Sequence, residues 1–334
     1  MMNKKEKKKP HDKGIVLAPD TTPNFSNKYG IISQNNALNG IFRLNSKKNT
    51  KDLPFNKKQV QADAVTAITQ ATNLGLPEAI MLDYINYRFN QISDHEHAKH
   101  FSFTLKEYMK DTGKKDPKSA RKAIKERLDT IASTPYSYSG GSEKNDYNQN
   151  FGSQPLLGYD YRRGKIYINL TDFFHELLVY HSMPMAYYKL MFKLDPKRDS
   201  TAIYILRALL ENKRINKTSP RANRMKVKTL LKRIPSLPSY DEVMNSNRHV
   251  YDRIIEPVLD GIERLAERDE GAIVKYSFIS RDNELLDYNS LDYDTFVNAN
   301  LIIEKWNHYP EAELEKWDKR QKEINKKKKR NPEE

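Results

Sequence analysis

The stretch FSFTLKEYMKDTGKKDPKSARKAIKERLDTI, residues 101–131, decides how the rest of the chain is read. With His100 in front of it, the run to Phe103 is a short strand. Thr104 then stands where a helix needs a side-chain acceptor for its first free N–H groups, and that helix runs through Met109 to a stop at Gly113. Asp116–Pro117 opens the next helix, a capping carboxylate followed by a proline whose missing N–H costs nothing in a first turn. Ala120, Ile124, Leu128 and Ile131 recur at helical spacing and predict a buried seam. The opposite side carries Lys118, Ser119, Arg121, Lys122 and Lys125, with Arg127 beyond them. A second helix, preceded by a short one and a tight turn and rich in donors at its start, is what a major-groove recognition helix requires.

Upstream, Val60, Ala64, Val65, Ile68 and Ala71 fall at helical spacing before Leu74–Gly75, and Pro77 opens a further apolar helix from Glu78 to Phe89. Downstream come Tyr136–Tyr138, a polar loop, and a hairpin of Gly158–Tyr161 against Lys165–Asn169. Arg162, Arg163 and Lys165 at its tip are cations of the kind a wing lays on backbone or minor groove. Helix, helix, short strand, helix, helix, hairpin is the order of a winged helix. The second half repeats it: Thr201–Leu210 as a helix capped by Asp199 and Ser200, Arg224–Val227 as the short strand, Lys228–Ile234 and the Ser239-capped Tyr240–Met244 as short helices. A long helix from Arg248 to Glu267 follows, kinked at Pro257, then strands Ile273–Ile279 and Leu301–Trp306 around an acidic insert. The expectation is an α+β, mainly helical chain of two tandem winged-helix domains, 51–180 and 181–315. A mostly disordered basic segment, 1–50, with one docked stretch around Ile31–Leu44, precedes them, and a basic tail, 316–334, follows.

Charge points the same way. The 334 residues hold 58 Lys and Arg against 44 Asp and Glu, +14 at neutral pH, which favours a polyanionic partner. Mean hydropathy is -0.85, yet 20 Tyr and 12 Phe supply the bulk that a disordered chain lacks. No apolar run reaches the ~20 residues of a membrane span, and no signal peptide is legible, so a cytoplasmic protein without a membrane partner is expected. Zero cysteines exclude disulfides and thiolate chemistry. Residues 193–233 hold 13 basic and three acidic side chains. Within them Arg221, Arg224, Lys226 and Lys228 sit among Ser, Thr and Asn, the residue types that bind phosphate oxygens. Arg248, His249 and Arg253 lead the long helix as candidate base or backbone readers. Residues 275–318 reverse the sign, ten acidic against four basic, and suit a protein rather than DNA.

Segment 101–131, together with KTLLKRIPSLPSYDEVMNSNRHVYDRIIEPVLDGIERL at 228–265, resembles the two winged helices of replication initiators from bacterial plasmids and integrative elements. The resemblance is spread over residues 56–310. It implies tandem winged helices that bind double-stranded DNA at origin repeats and recruit host proteins (a helicase, helicase loader or primase), with a homodimer when not initiating. Lys118, Ser119, Arg121 and Lys122, then Arg248, His249 and Arg253, would inherit the contacts; the large acidic insert at 281–296 departs from a simple wing. A transcription regulator of the same fold is one alternative. A DNA-nicking enzyme is another, with Tyr187 or Tyr188 as nucleophile and His95, His97 and His100 around a metal. Against it, the histidines lie in a polar stretch with charged Glu96 between them, and the tyrosines precede Leu190, Met191 and Phe192 as packing residues would. No phosphate-binding glycine loop or hydrolase motif is present. The expectation is a non-enzyme with no catalytic residue, metal or cofactor.

Overall fold

The capping signals of the opening stretch materialise as local geometry. The computed structural model describes residues 28–35, 38–39, 65–68, 74–134, 136–142, 145–246, 248–267, 270–288 and 291–330. Strands β1 (Tyr29–Gln34) and β2 (Val65–Ile68) precede helix α1 (Leu76–Phe89). Next come β3 (His100–Thr104), α2 (Leu105–Thr112) and α3 (Pro117–Ser133). Thr104 accepts from the Glu107 N–H at 3.1 Å while the Glu107 carboxylate takes the Thr104 N–H at 2.7 Å, so two orphan donors are satisfied reciprocally. Gly113 ends α2 at φ 68, a conformation glycine adopts without steric cost. Asp116 accepts the N–H groups of Lys118 and Ser119 at 3.1 and 2.9 Å and starts α3. The seam Ala120, Ile124, Leu128 and Ile131 is buried throughout.

The hairpin follows as β6 (Leu156–Arg162) and β7 (Lys165–Leu170), after a pair that the sequence reading missed, β4 (Tyr136–Ser142) and β5 (Asn145–Ser153). The stretch expected to be a polar loop therefore begins as a strand pair. Val65–Ile68, expected in a helix, instead pairs antiparallel with β4; four β-branched or small residues fit either period, and the partner strand, distant in sequence, decides. Val60, Ala64 and Ala71 of that expectation lie outside the described residues.

Helix α4 (Asp172–Val179) leads into β8 (Met183–Tyr188), which pairs antiparallel with β1. Residues 31–34 of the docked N-terminal stretch thus lie in a strand; Gly30 is needed there because a Cβ would fall 2.2 Å from the Tyr87 ring. Beyond the short α5 (Leu190–Lys193) runs α6 (Ser200–Ile215). Asp199 does not cap it with its side chain; the carboxylate turns back to accept the Asp195 N–H at 2.8 Å. Then come β9 (Arg224–Lys226), α7 (Val227–Leu231) and α8 (Tyr240–Met244), followed by a π-turn at Tyr251–Ile255 that runs into α9 (Glu256–Ala266). The expected kink takes this form: the wide turn ends just before Pro257, which lacks an N–H and would strike the carbonyl four residues back in a regular helix. Gly261 lets α9 lie on α6, since a Cβ there would meet Ile205 at 2.9 Å and the Ala202 backbone at 3.2 Å.

The chain closes with β10 (Ile273–Ile279), α10 (Tyr293–Asn298), β11 (Asn300–Trp306) and α11 (Glu311–Arg330). Two three-stranded antiparallel sheets have the same arrangement: β3–β7–β6 and β9–β11–β10, in each case first strand, last strand, middle strand. In each, a helix (α1, α6) precedes the first strand and further helices lie between that strand and the hairpin. The fold is α+β, with more strand than expected.

One hydrophobic core runs from Tyr29 to Ile324 and takes in residues of both halves. Across it Arg207 of α6, 2% exposed, is bonded to Asp83 of α1, to Glu211 at 3.2 Å and to Asn39 at 3.1 Å. Burial pushes the Asp83 carboxyl up to about 6 against the pull of the guanidinium. The basic segment from 316 packs back on the chain. The 315/316 boundary falls inside α11, whose Leu314, Trp317 and Ile324 are buried. Asp318 holds Arg214 and, at 2.6 Å, Lys217; Arg320 reaches Glu96 at 2.7 Å; and Gln321 donates to the Val179 carbonyl. The N-terminal segment expected to be disordered lies, up to residue 27, outside the described residues. Among the described residues no helix is long and apolar enough to cross a membrane.

Candidate nucleic-acid interface

Burial of the α3 seam forces Lys118, Ser119, Arg121, Lys122 and Lys125 outward, and all five are exposed. Ser119 donates its hydroxyl to Asp116, so it belongs to the helix cap as much as to the surface. That bond, followed by the N–H groups of Ser119 and Lys118, holds the Asp116 carboxyl below its usual range. Lys122 lies 3.8 Å from Glu126 one turn on, a loose pair between two exposed groups.

The hairpin is tied to this helix pair. Arg163 at φ 48 and Gly164 at φ 80 make a two-residue turn with both central φ positive, the hand that matches strand twist. The Gly164 carbonyl accepts the Leu105 N–H at 2.9 Å and pins the tip to the start of α2. Arg162, Arg163 and Lys165 are exposed; Arg162 pairs with Asp160. Between α3 and β6 lies a groove of about 550 Å³ floored by Ile124, Leu128 and Ile166. Arg121 and Lys125 stand on one side of it, and the Arg121 guanidinium lies 6.0 Å from the centre of the Tyr161 ring on the other. Tyr161 went unremarked in the sequence, though its signal was there: it precedes the cationic tip on a strand facing α3. On the same strand Tyr159 donates to Asp129 of α3, and burial followed by that bond pushes its phenol up to about 12.

Folding divides the denser basic run. Of its 13 cations, Lys193 pairs with Glu270 at 3.1 Å, Lys213 with Glu311 at 3.2 Å and Arg233 with Glu211 at 3.3 Å. Arg207, Arg214 and Lys217 are taken by Asp83 and Asp318 as described. Lys197, Arg198, Arg221, Arg224, Lys226, Lys228 and Lys232 remain exposed; β9 alternates, with Met225 in the core and Arg224 and Lys226 outward.

Arg248, His249 and Arg253 lie around the turn between α8 and α9. Arg248 sits at φ 61 in the turn after α8, its N–H on the Val243 carbonyl at 3.0 Å. Arg253 donates to Ser246 at 2.8 Å and His249 lies 3.5 Å from Asp252. The exposed positions that follow along the helix are Glu256, Asp260, Glu263 and Arg264, the last paired with Glu267.

The residues of the nicking alternative are dispersed. Tyr187 is fully buried beside Asp83 and Arg207, and Tyr188 donates from within the core to the Asn307 carbonyl at 3.0 Å. His95 is buried between Phe89 and Trp317, where burial and then the Arg320 guanidinium push its imidazole down to about 4. His100 bonds Asn169 across the β3–β7 pair, while exposed His97 is grouped with Asp94 and Glu96.

No protein-family model matches the chain, and no curated protein matches it. Among solved structures, it is similar to the WH1 domain of MSBI1.176, a replication protein isolated from a multiple sclerosis patient. The identity is 18% over 32% of this chain and 81% of that one, with a TM-score of 0.25. It is also similar to domains 2 and 3 of RctB, at 12% identity over 87% of this chain and 97% of that one, with a TM-score of 0.42.

Proposed function

We propose that the chain is a sequence-specific double-stranded DNA-binding protein that initiates replication of a plasmid or integrative element, binding origin repeats and recruiting host replication proteins without catalysing a reaction itself. It does so as two winged-helix units, residues 51–180 and 181–315. The observation that carries the binding half of this reading is the exposed basic face of α3, joined through Arg121 and Tyr161 to a hairpin whose tip carries Arg162, Arg163 and Lys165. In the major groove α3 presents Lys118, Arg121, Lys122 and Lys125 to bases and phosphates, while the hairpin tip lies on the flanking backbone. Arg221, Arg224, Lys226 and Lys228 supply the second unit's phosphate contacts. The replication half rests on the resemblance of segments 101–131 and 228–265 to plasmid initiators.

The test is binding to fragments tiled across the replicon that encodes the protein, at physiological salt with excess competitor DNA. Selective capture of a region with direct repeats, followed by repeat-dependent replication, is the expected result. Capture only beside promoters would make the protein a regulator. Uniform, salt-sensitive capture would remove sequence specificity from the proposal.

A further inference from the structure

The helix after the second turn, which ought to face DNA if the second unit copied the first, is acidic and aromatic instead. Tyr240 of α8 stacks on Tyr293 of α10, ring centres 4.4 Å apart and planes within 22°. Met244 follows Tyr240 one turn on, and Tyr251 opens the π-turn against which α10 packs. Tyr240, Met244 and Tyr251 are each more than a third exposed. Asp241 and Asp294 flank Tyr293, and Asp252 and Asp292 are exposed on the same elements. Of the cations bonded on or beside these elements, Arg253 is engaged with Ser246, His249 with Asp252 and Arg281 with Asn298 of α10. An aromatic surface rimmed by carboxylates repels phosphate and suits an apolar segment that carries lysines.

The chain contains such a segment. Residues 1–14 hold six Lys against Glu6 and Asp12, and Ile15-Val16-Leu17 follows directly. The described chain begins beside the second unit: the Lys28 carbonyl accepts the Lys189 N–H at 2.8 Å, and the Lys28 ammonium lies 3.5 Å from Asn307, which directly follows β11. The other end of β11 adjoins α10 across Ala299. A seven-residue strand spans about 23 Å. The eleven residue-to-residue steps from Leu17 to Lys28 reach up to about 36 Å when extended, enough to bring Ile15–Leu17 to the patch.

We propose that the surface formed by Tyr240, Met244, Tyr251 and Tyr293 is the docking site of the chain's own N-terminal segment. Ile15–Leu17 lies on the aromatic rings and the lysines of residues 4–13 meet Asp241, Asp252 and Asp294. Docking there keeps a strongly basic segment off DNA and covers a face of the second unit that repels phosphate. The inference does not depend on the duplex-binding reading: it needs only the patch and the segment.

Because the chain has no cysteine, two introduced thiols can be spin-labelled cleanly in the full-length protein, one by Asp12→Cys and one by Asn298→Cys on α10. Pulsed electron-spin distance measurement is expected to give one short, narrow distance. Asp241→Lys with Asp294→Lys should abolish it, and so should Lys7, Lys8 and Lys9→Glu, a change in the segment itself that leaves the patch residues untouched. Combining the two sets should restore the short distance, which separates lost charge complementarity from lost folding. A broad distribution in the parent chain, or a short distance indifferent to both charge reversals, would overturn the proposal. A short distance seen only when singly labelled chains are mixed would place the segment on a second copy and overturn docking within one chain. Duplex binding, measured in parallel, can fail or succeed without changing any of these outcomes.

Discussion

At Arg121 two demands meet. The side chain has to reach past the helix to a base edge, and it has to arrive with its planar fork already oriented. The Tyr161 ring 6.0 Å away holds the guanidinium on the hairpin side of α3. Arg121→Ala is expected to cost about 1–3 kcal/mol of specific binding and to relax preference at one base pair. Tyr161→Leu should lose only about 0.5–1 kcal/mol, the worth of an exposed cation–π contact. In an Arg121→Ala background it should lose nothing more. Fluorescence anisotropy against a panel of single-base variants of the captured site checks all three. A different kind of residue is Arg207, whose guanidinium is bonded to Asp83 and Glu211 in the core. Arg207→Ala leaves two buried carboxylates facing each other and is expected to destabilise the fold by about 3–5 kcal/mol in urea titrations.

Helix α11 shows what an element contributes beyond its residues. Its Trp317 covers His95 on one half while Asp318 holds Arg214 and Lys217 on the other. Because His95 is held down to about 4 from an ordinary 6.5, the unfolded chain binds its proton first as pH falls. The stabilisation from keeping this ring neutral is therefore complete above about pH 6.5 and is lost progressively towards pH 4, by about 3 kcal/mol at most. Asp83 acts oppositely: with its carboxyl raised to about 6, its contribution declines as pH rises from about 4 to 6. The difference between wild type and His95→Gln in thermal melts isolates the histidine, and that difference should shrink between pH 7 and pH 4.5. None of this docking was legible in the sequence, where Lys319–Arg330 reads as a basic tail. Apolar residues at 314, 317 and 324 are too sparse to announce a buried stripe, and their partners lie more than a hundred residues away. The elements that were legible carry their own local instructions: Thr104 with Glu107, Asp116 with Pro117, Ser239 with Glu242. Strand β2, β4 with β5, and β1 were missed or read as something else because pairing with distant chain, not local period, makes them strands.

For the whole molecule the question is which of 58 cations a polyanion meets. Counting along the sequence puts the greatest weight on residues 193–233, but folding spends Lys213, Arg214 and Lys217 on Glu311 and Asp318 of α11. Among the cations that stay outside are those of the α3 face, the hairpin tip, and the strip from Arg221 to Lys228. If six to ten of these meet phosphates, affinity should fall by about 10³–10⁵ between 50 and 200 mM salt, the slope of log K against log salt counting the contacts at about 0.9 each. Lys118→Gln, Lys122→Gln and Lys226→Gln should each flatten that slope by about one contact and weaken all sequences alike. Lys213→Gln and Lys217→Gln should leave the slope where it was and lower the melting temperature instead, since each is already paired with a carboxylate of α11. If Lys213 and Lys217 changed the slope as strongly as the α3 lysines, α11 would have to leave its seat when DNA binds. The slope measured with wild type at pH 7 and with a Trp317→Ala variant, which loosens that seat, distinguishes the two: a steeper slope in the variant means that the ion pairs to α11 hold back cations which the duplex would otherwise take.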